Sequence, residues 1–296
     1  MTMPDSWLQA IAQPALSVTS PFTLRLTLAR LIRSSQSAGA AIQTGLRADT
    51  PATAFLAGYQ CAMRFIDPAL EPEQWGAFCV SEKGLGSLSN MQTTYDRETS
   101  LITGVKSHAM LARSVIDWFY VVARDSASGD LVCVRCRRDA QGTEAGPDPV
   151  NQAFVPEVPH NSVSFGQVRA DDAFLVDDAH NSLNKPFRFH EDYLCALAIG
   201  GWMLRQVVNR ETEAVRHLAA TLSDAKALYP ARASGYTAEL MTMFDALAAA
   251  ITGAAKFLAG DAALQWQRDR VLLVMGEKAR AVLRPRLFPD ISDSES

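Results

Sequence analysis

Between Ser81 and Ser87 the sequence reads Ser-Glu-Lys-Gly-Leu-Gly-Ser. Gly84 and Gly86 permit positive φ, which turns successive backbone N–H groups towards one point. Such a nest suits an anion or the polar edge of a ring, and the Ser81 and Ser87 hydroxyls add donors and acceptors beside it. Other groupings point to chemistry less directly. Cys133 and Cys136 form a C-x-x-C, but their strand-like surroundings direct them to opposite faces, and no second pair completes a zinc site. His190-Glu191-Asp192 stands just before an apolar helical run and reads first as a helix-start signature. Asp171-Asp172 and Asp177-Asp178 read as surface turns, and His160, His180 and His217 are isolated.

The elements around the glycine-rich stretch are strand-like. Phe78-Cys79-Val80 leads into it, Leu101 to Lys106 is a β-branched run broken by Gly104, and Trp118 to Arg124 reads as a buried strand. Leu131 to Val134 is another. Turn-rich sequences at Ser126 to Asp130 and Ala145 to Pro149 separate them, and together they predict a β domain over residues 76–186.

Helical patterns flank this domain. In residues 1–75, Leu24, Leu28, Leu31 and Ile32 recur at helical spacing, and Asp49-Thr50-Pro51 predicts the start of a second helix carrying Phe55, Leu56, Tyr59, Met63 and Phe65. In residues 187–296, Tyr193, Leu194, Leu197, Ala198, Trp202 and Leu204 form one stripe, with Gly200-Gly201 permitting close packing. Two further helices are expected, over 236–257 and 262–287. The last has Gly276 as its one weak point and Pro285 as its first stop. The polar end from Ile291 to Ser296 is expected to fray.

With 296 residues and 48% hydrophobic content, the chain can build a substantial core in one to three domains. Its 28 Lys plus Arg against 32 Asp plus Glu give a net charge of -4, which excludes a general electrostatic draw to nucleic acid or an anionic membrane. No basic leader precedes an apolar core, and no segment is read as reaching the ~20 apolar residues of a membrane span, so the expected location is cytoplasmic. Five cysteines, an odd number without an export signal, argue for reduced thiols.

The ordered set of motifs resembles the acyl-CoA dehydrogenase family. The family pattern is roughly T-E-P-G-x-G-S-D, a strand, G-x-K-x-W-I-T-N, and an apolar strand ending in A-R. Here Ser81, Glu82, Gly84, Gly86 and Ser87 match the first motif, Gly104 and Lys106 the start of the second, and Ala123 and Arg124 the third. Val163 to Arg169 is similar to the strand that follows, with Asp171 where a proline usually stands. The resemblance implies an α+β fold with truncated N-terminal helices, a middle β domain and a C-terminal helical bundle.

It also implies a flavin-dependent oxidoreductase acting on the CH–CH group of an acyl-CoA or other acyl thioester, with FAD as cofactor. Ser81, Gly84, Gly86 and Ser87 then fall at flavin- and substrate-contacting positions, and His108 and Met110 replace the family's Trp and Thr beside the flavin ring. The family's R-x-x-F-G has no clear counterpart between Arg210 and Tyr236. For the catalytic base two registers stand open. One aligns Arg268-Asp269 and places Glu277 on the catalytic glutamate; the other aligns Ala255-Lys256 and Gly260-Asp261 with an earlier helix and ends the chain before that segment. The basic run Arg135 to Arg138 is placed at a solvated strand edge or against a CoA phosphate. The alternative implied function is a non-catalytic member that binds acyl-CoA or serves as a partner subunit, and homo-oligomers or association with a related dehydrogenase subunit are the expected assemblies.

Overall fold

The computed structural model describes residues 3–210 and 212–289, so the expected fraying of Ile291 to Ser296 lies outside the described residues. The chain divides into two compact units. One gathers the helices up to Phe65 with those from Phe187 onwards, and the other is Ile66–Pro186.

In the helical unit, α1 is Asp5–Ala12, α2 Pro21–Gly45, α3 Pro51–Ile66 and α4 Lys185–Val207. The remaining helices are α5 Glu213–Leu228, α6 Ala238–Ala254, α7 Gly260–Asp269 and α8 Glu277–Leu287. Leu24 and Leu28 are fully buried along α2, which kinks at Gln36, a residue with φ 58°. The start of α3 follows from its cap: Thr50 Oγ1 accepts from Thr53 N at 3.1 Å, and Pro51 occupies the first turn, where a missing N–H costs nothing. Thr212 and Thr237 cap α5 and α6 in the same way, accepting from Val215 N and Leu240 N. No separate helix is expected from the sequence pattern over 213–228, where α5 forms behind the Thr212 cap.

Helix α4 is the spine of this unit, and glycines let other helices close on it. A Cβ on Gly45 would lie 2.0 Å from Ala198 O, one on Gly58 2.6 Å from Cys195 Cα, and one on Gly201 2.6 Å from Ile42 O. The backbones of α2 and α3 thus meet α4 at distances no side chain allows.

Two expectations for the helices need correction. The single helix over 262–287 is divided: α7 ends at Asp269, Arg270–Leu273 forms a 3-10 turn, and α8 starts after Gly276. The division brings Gly276 against α4, where a Cβ would meet Asp192 Oδ2 at 2.2 Å. Pro285 sits inside α8 near its end rather than stopping it. Second, Ala238–Phe257 is 20 residues long with a mean hydropathy of 1.3, which satisfies the length and composition of a membrane span. Leu240, Met241, Phe244, Leu247 and Ile251 on this helix are nonetheless core residues, and Asp245 pairs with Arg284.

The second unit is an eight-stranded mixed sheet. Its strands are β1 Gly76–Cys79, β2 Thr94–Asp96, β3 Leu101–Met110, β4 Trp118–Asp125, β5 Leu131–Arg137, β6 Thr143–Ala145, β7 His160–Arg169 and β8 Leu175–Val176. The order is β6-β7-β3-β2-β4-β5-β8, with β1 parallel to β4. The five cysteines of the chain are all free and buried.

Strand β8 pairs with Cys133 and Val134 of β5 and stops short of the Arg135 to Arg138 run, within which Arg137 is exposed. Arg135 turns inward, binding Asp67 at 2.5 Å and Asp171 at 2.7 Å, with its guanidinium 4.6 Å from the Trp118 ring centroid. Asp171 therefore does more than shape a turn: it anchors β5. Tyr120 OH donates to the same Asp67 carboxylate at 2.7 Å.

The glycine contacts yield a paired prediction. Gly201→Ala is expected to destabilise the protein by about 1–3 kcal/mol, because the added methyl meets backbone rather than a flexible side chain. Gly253→Ala in α6, where an added Cβ meets nothing within 4 Å, is expected to stabilise by up to about 1 kcal/mol. Urea unfolding of the two variants checks both signs.

Candidate functional site

In the sheet unit the glycine-rich stretch leaves β1 and returns through β2, and two side chains hold it. Glu82, whose side chain is 7% exposed, accepts from Lys106 Nζ at 2.8 Å, from Thr93 N at 3.0 Å and from Gln92 N at 2.7 Å. Lys106 is buried on β3 and also donates to Val80 O at 3.3 Å. Burial works to raise the Glu82 pKa, but the Lys106, Gln92 and Thr93 hydrogen bonds outweigh it and hold the carboxyl at about 2. Burial pulls Lys106 down from its ordinary value, and the Glu82 carboxylate opposes that pull.

Gly104 makes the arrangement possible, since β3 crosses Thr93 so closely that a Cβ would lie 2.6 Å from Thr93 Cα, and its φ of 146° suits glycine. On the far side of the stretch, Arg124 donates to the carbonyls of Leu88 at 3.3 Å, Ser89 at 2.7 Å and Gly129 at 2.5 Å. The turn is therefore clamped at both ends.

Between the clamps the backbone is open. Ser81, Gly84, Gly86 and Ser87 are exposed, and nothing lies within 4 Å of where a Cβ on either glycine would stand. Ser87 Oγ accepts from Ser89 N at 3.3 Å, capping the 3-10 turn Leu88–Asn90, and Ser81 O accepts from Ser107 N at 2.9 Å. That last bond places the start of the turn beside His108. His108 is exposed, with Nδ1 2.7 Å from Ser107 Oγ, whereas Met110 is buried at 3% exposure. The structure thus brings Ser81, just beyond β1, alongside Ser107 and next to His108 on β3.

Glu277 lies in the helical unit, at the first position of α8. It is half exposed, 3.2 Å from Arg280 and 3.8 Å from Arg284. A different cluster on α4 carries the unusual titration. His190, Glu191 and Asp192 stand within α4, not ahead of it. His190 is fully buried, stacks on Phe65 at 4.2 Å, and has Nδ1 2.7 Å from Tyr229 OH and Nε2 2.9 Å from Ala233 O. With both nitrogens engaged it is neutral, and burial lowers its pKa to about 4.

Asp192 accepts from Arg280 at 2.5 Å and from Tyr236 at 3.3 Å. Glu191, by contrast, makes no hydrogen bond among the described residues. Burial, reinforced by the neighbouring Asp192 charge and opposed by Arg188, raises its carboxyl to about 8. The sequence held a signal for this placement: the α4 stripe continues backwards at helical spacing from Tyr193 and Leu194 to Phe189 and His190, which puts the acidic pair inside the helix.

The two-unit arrangement, a mixed sheet inserted between helices that precede and follow it in the chain, has solved counterparts. PigA in its apo form matches 97% of this chain and 96% of its own, with a TM-score of 0.68 at 12% identity. A complex of PigA with FAD matches with a TM-score of 0.58 and 13% identity over 96% of this chain and 88% of that one. Glutaryl-coenzyme A dehydrogenase bound to glutaryl-CoA matches 91% of this chain and 87% of its own, with a TM-score of 0.64 at 12% identity. The prolyl acyl carrier protein oxidase AnaB matches 92% and 90%, with a TM-score of 0.63 at 13% identity.

The chain has an acyl-CoA dehydrogenase-like fold. No protein-family model and no curated protein matches the sequence. In this fold the glycine-rich turn is the part whose geometry is most fully determined by its own chain, through Glu82, Lys106 and Arg124.

The dehydrogenase-like turn should be acid-sensitive. Glu82 titrates at about 2 in the folded protein against an ordinary 4.5, so its ionised form contributes stability that is present above pH ~4.5 and lost as pH falls towards 2. The difference corresponds to about 3 kcal/mol. Urea unfolding at pH 6 and pH 3 is expected to show a smaller loss of stability on acidification in Glu82→Gln than in the unmodified chain.

Proposed function

We propose that the chain is a flavin-dependent oxidoreductase of acyl-CoA dehydrogenase type, acting on the CH–CH group of an acyl thioester. The observation that carries this reading is the likeness of fold over nearly the whole chain to PigA, which has an FAD complex, and to glutaryl-coenzyme A dehydrogenase with its glutaryl-CoA. The turn fits a flavin on its own chemistry: exposed N–H groups around Gly84 and Gly86, hydroxyls at Ser81 and Ser87, and the exposed ring of His108. Met110, buried and without a hydroxyl, is not suited to donate to the ring.

Bound FAD would supply the hydride acceptor. The chain must supply a base for the α proton, and two carboxylates compete for that part. Glu277 is half exposed and its carboxylate is engaged by Arg280 and Arg284. Glu191 has no cationic hydrogen-bond partner and titrates at about 8, close to the range in which a general base works at neutral pH. Glu191 is the base in this reading.

The second reading, a non-catalytic member that binds acyl-CoA or serves as a partner subunit, is favoured by the ion-paired Glu277 and the buried Met110. The visible absorption spectrum of the purified protein, with and without added FAD, separates the two. A stoichiometric bound flavin supports the oxidoreductase, and no bound flavin at saturating FAD selects the second reading.

With activity in hand, kcat/KM on acyl thioesters should rise with pH through about 8, because Glu191 accepts a proton only when ionised. Glu191→Gln should lower kcat by about 10²-fold or more and remove that titration. Glu277→Gln should leave kcat within about threefold. The opposite pattern would return the role of base to Glu277.

A further inference from the structure

At one end of the sheet unit, the turn after β3, the first residues of β4, the end of β5 and strand β6 enclose a cleft of about 160 Å3. Its lining is Ala112, Arg113, Phe119, Arg138, Thr143 and Ala145. Phe119 is fully buried and held edge-on to Phe165 with ring centroids 5.9 Å apart, which makes a rigid apolar floor. Strand alternation gives β6 its part: Thr143 and Ala145 face the cleft, and Glu144 between them does not line it.

Arg97, Arg135, Arg137, Arg169, Arg280 and Arg284 each pair with a carboxylate. Arg113 and Arg138 pair with none among the described residues. The nearest acid in sequence, Asp139, is turned to Arg137 at 3.5 Å. The Arg138 backbone is fixed by its N–H donating to Asp117 O at 3.0 Å, and the Thr143 hydroxyl is buried in the cleft wall without a partner.

We infer that Arg113 and Arg138 form a binding site for a phosphate group. Two guanidiniums match the double charge of a phosphate monoester, and each presents a planar fork of donors that fits two of its oxygens. A carboxylate would leave one of the two charges unanswered. The site is built within the sheet unit and does not depend on the proposed reaction.

Isothermal titration of the full chain with orthophosphate and with adenosine 3′,5′-bisphosphate, at low ionic strength in a phosphate-free buffer, tests the site. Saturable 1:1 binding is expected, weakened about tenfold or more in both Arg113→Gln and Arg138→Gln. Tighter binding of the bisphosphate would identify an organic monoester as the occupant, and equal binding would identify the phosphate ion; both support the site. Neither arginine has a native ion pair to lose, so both variants should keep the thermal midpoint of the unmodified chain. The inference is overturned if neither probe binds, or if binding persists undiminished in both folded variants.

Discussion

Moving the Lys106 ammonium and the Glu82 carboxylate out of water costs several kcal/mol for each charge, and only a complete set of partners offsets it. That set is drawn from separate parts of the sheet unit: β3 supplies the lysine, the turn supplies the glutamate, the end of β1 supplies the Val80 carbonyl, and the chain entering β2 supplies the Gln92 and Thr93 N–H groups. None can move without leaving a buried charge unsatisfied. The exposed glycines can therefore keep an open backbone, with Gly84 at a φ of 75°, because the rigidity that they lack is provided beneath them. Arg124 completes the restraint by donating to the Leu88 and Ser89 carbonyls of the 3-10 turn.

The helical unit works by a different constraint, the close approach of backbones. With Gly45, Gly58 and Gly201 at the crossings, α2 and α3 lie against α4 without intervening side chains. The same closeness recurs at Gly276, which rests on Asp192. Asp192 is consequently enclosed, with Arg280 and Tyr236 as its partners, while Glu191 beside it receives neither. One adjacent pair of carboxylates thus acquires two characters, one tied into packing and one left to titrate.

Much of this was legible in the sequence, though unevenly. The strand at Trp118 could be read because its β-branched and aromatic run is followed by turn residues, the strand at Val163 through its resemblance to a family motif, and the start of α3 because Thr50-Pro51 is a local signal. The break between α7 and α8 could not, since Gly276 alone does not reveal that Asp192, far away in sequence, requires its place. Arg135 misled for a similar reason: a basic run at a strand end looks solvated until Asp67 and Asp171 are known to lie opposite. The titration of Glu191 was hidden because burial is a property of the packed unit, not of three polar residues in a row.

The motifs that carried the family resemblance have a further property in common. Glu82, Gly104, Lys106 and Arg124 all serve the shape of the turn, through an ion pair, a close crossing and a carbonyl clamp. A chain that needs this turn must keep them whether or not it performs oxidation, so their presence speaks for the fold and is silent on the reaction. Residues that would touch a flavin are not bound by that requirement. His108 is exposed and replaceable at little structural cost, and Met110 fills the interior, where any apolar side chain of similar volume serves. A scaffold of this kind lets such positions vary beside a fixed clamp, because surface chemistry and support rest on different side chains. Evidence for catalysis in this chain must accordingly come from groups that packing does not demand, and Glu191, half-buried beside an ion-paired aspartate with no hydrogen bond of its own, is such a group.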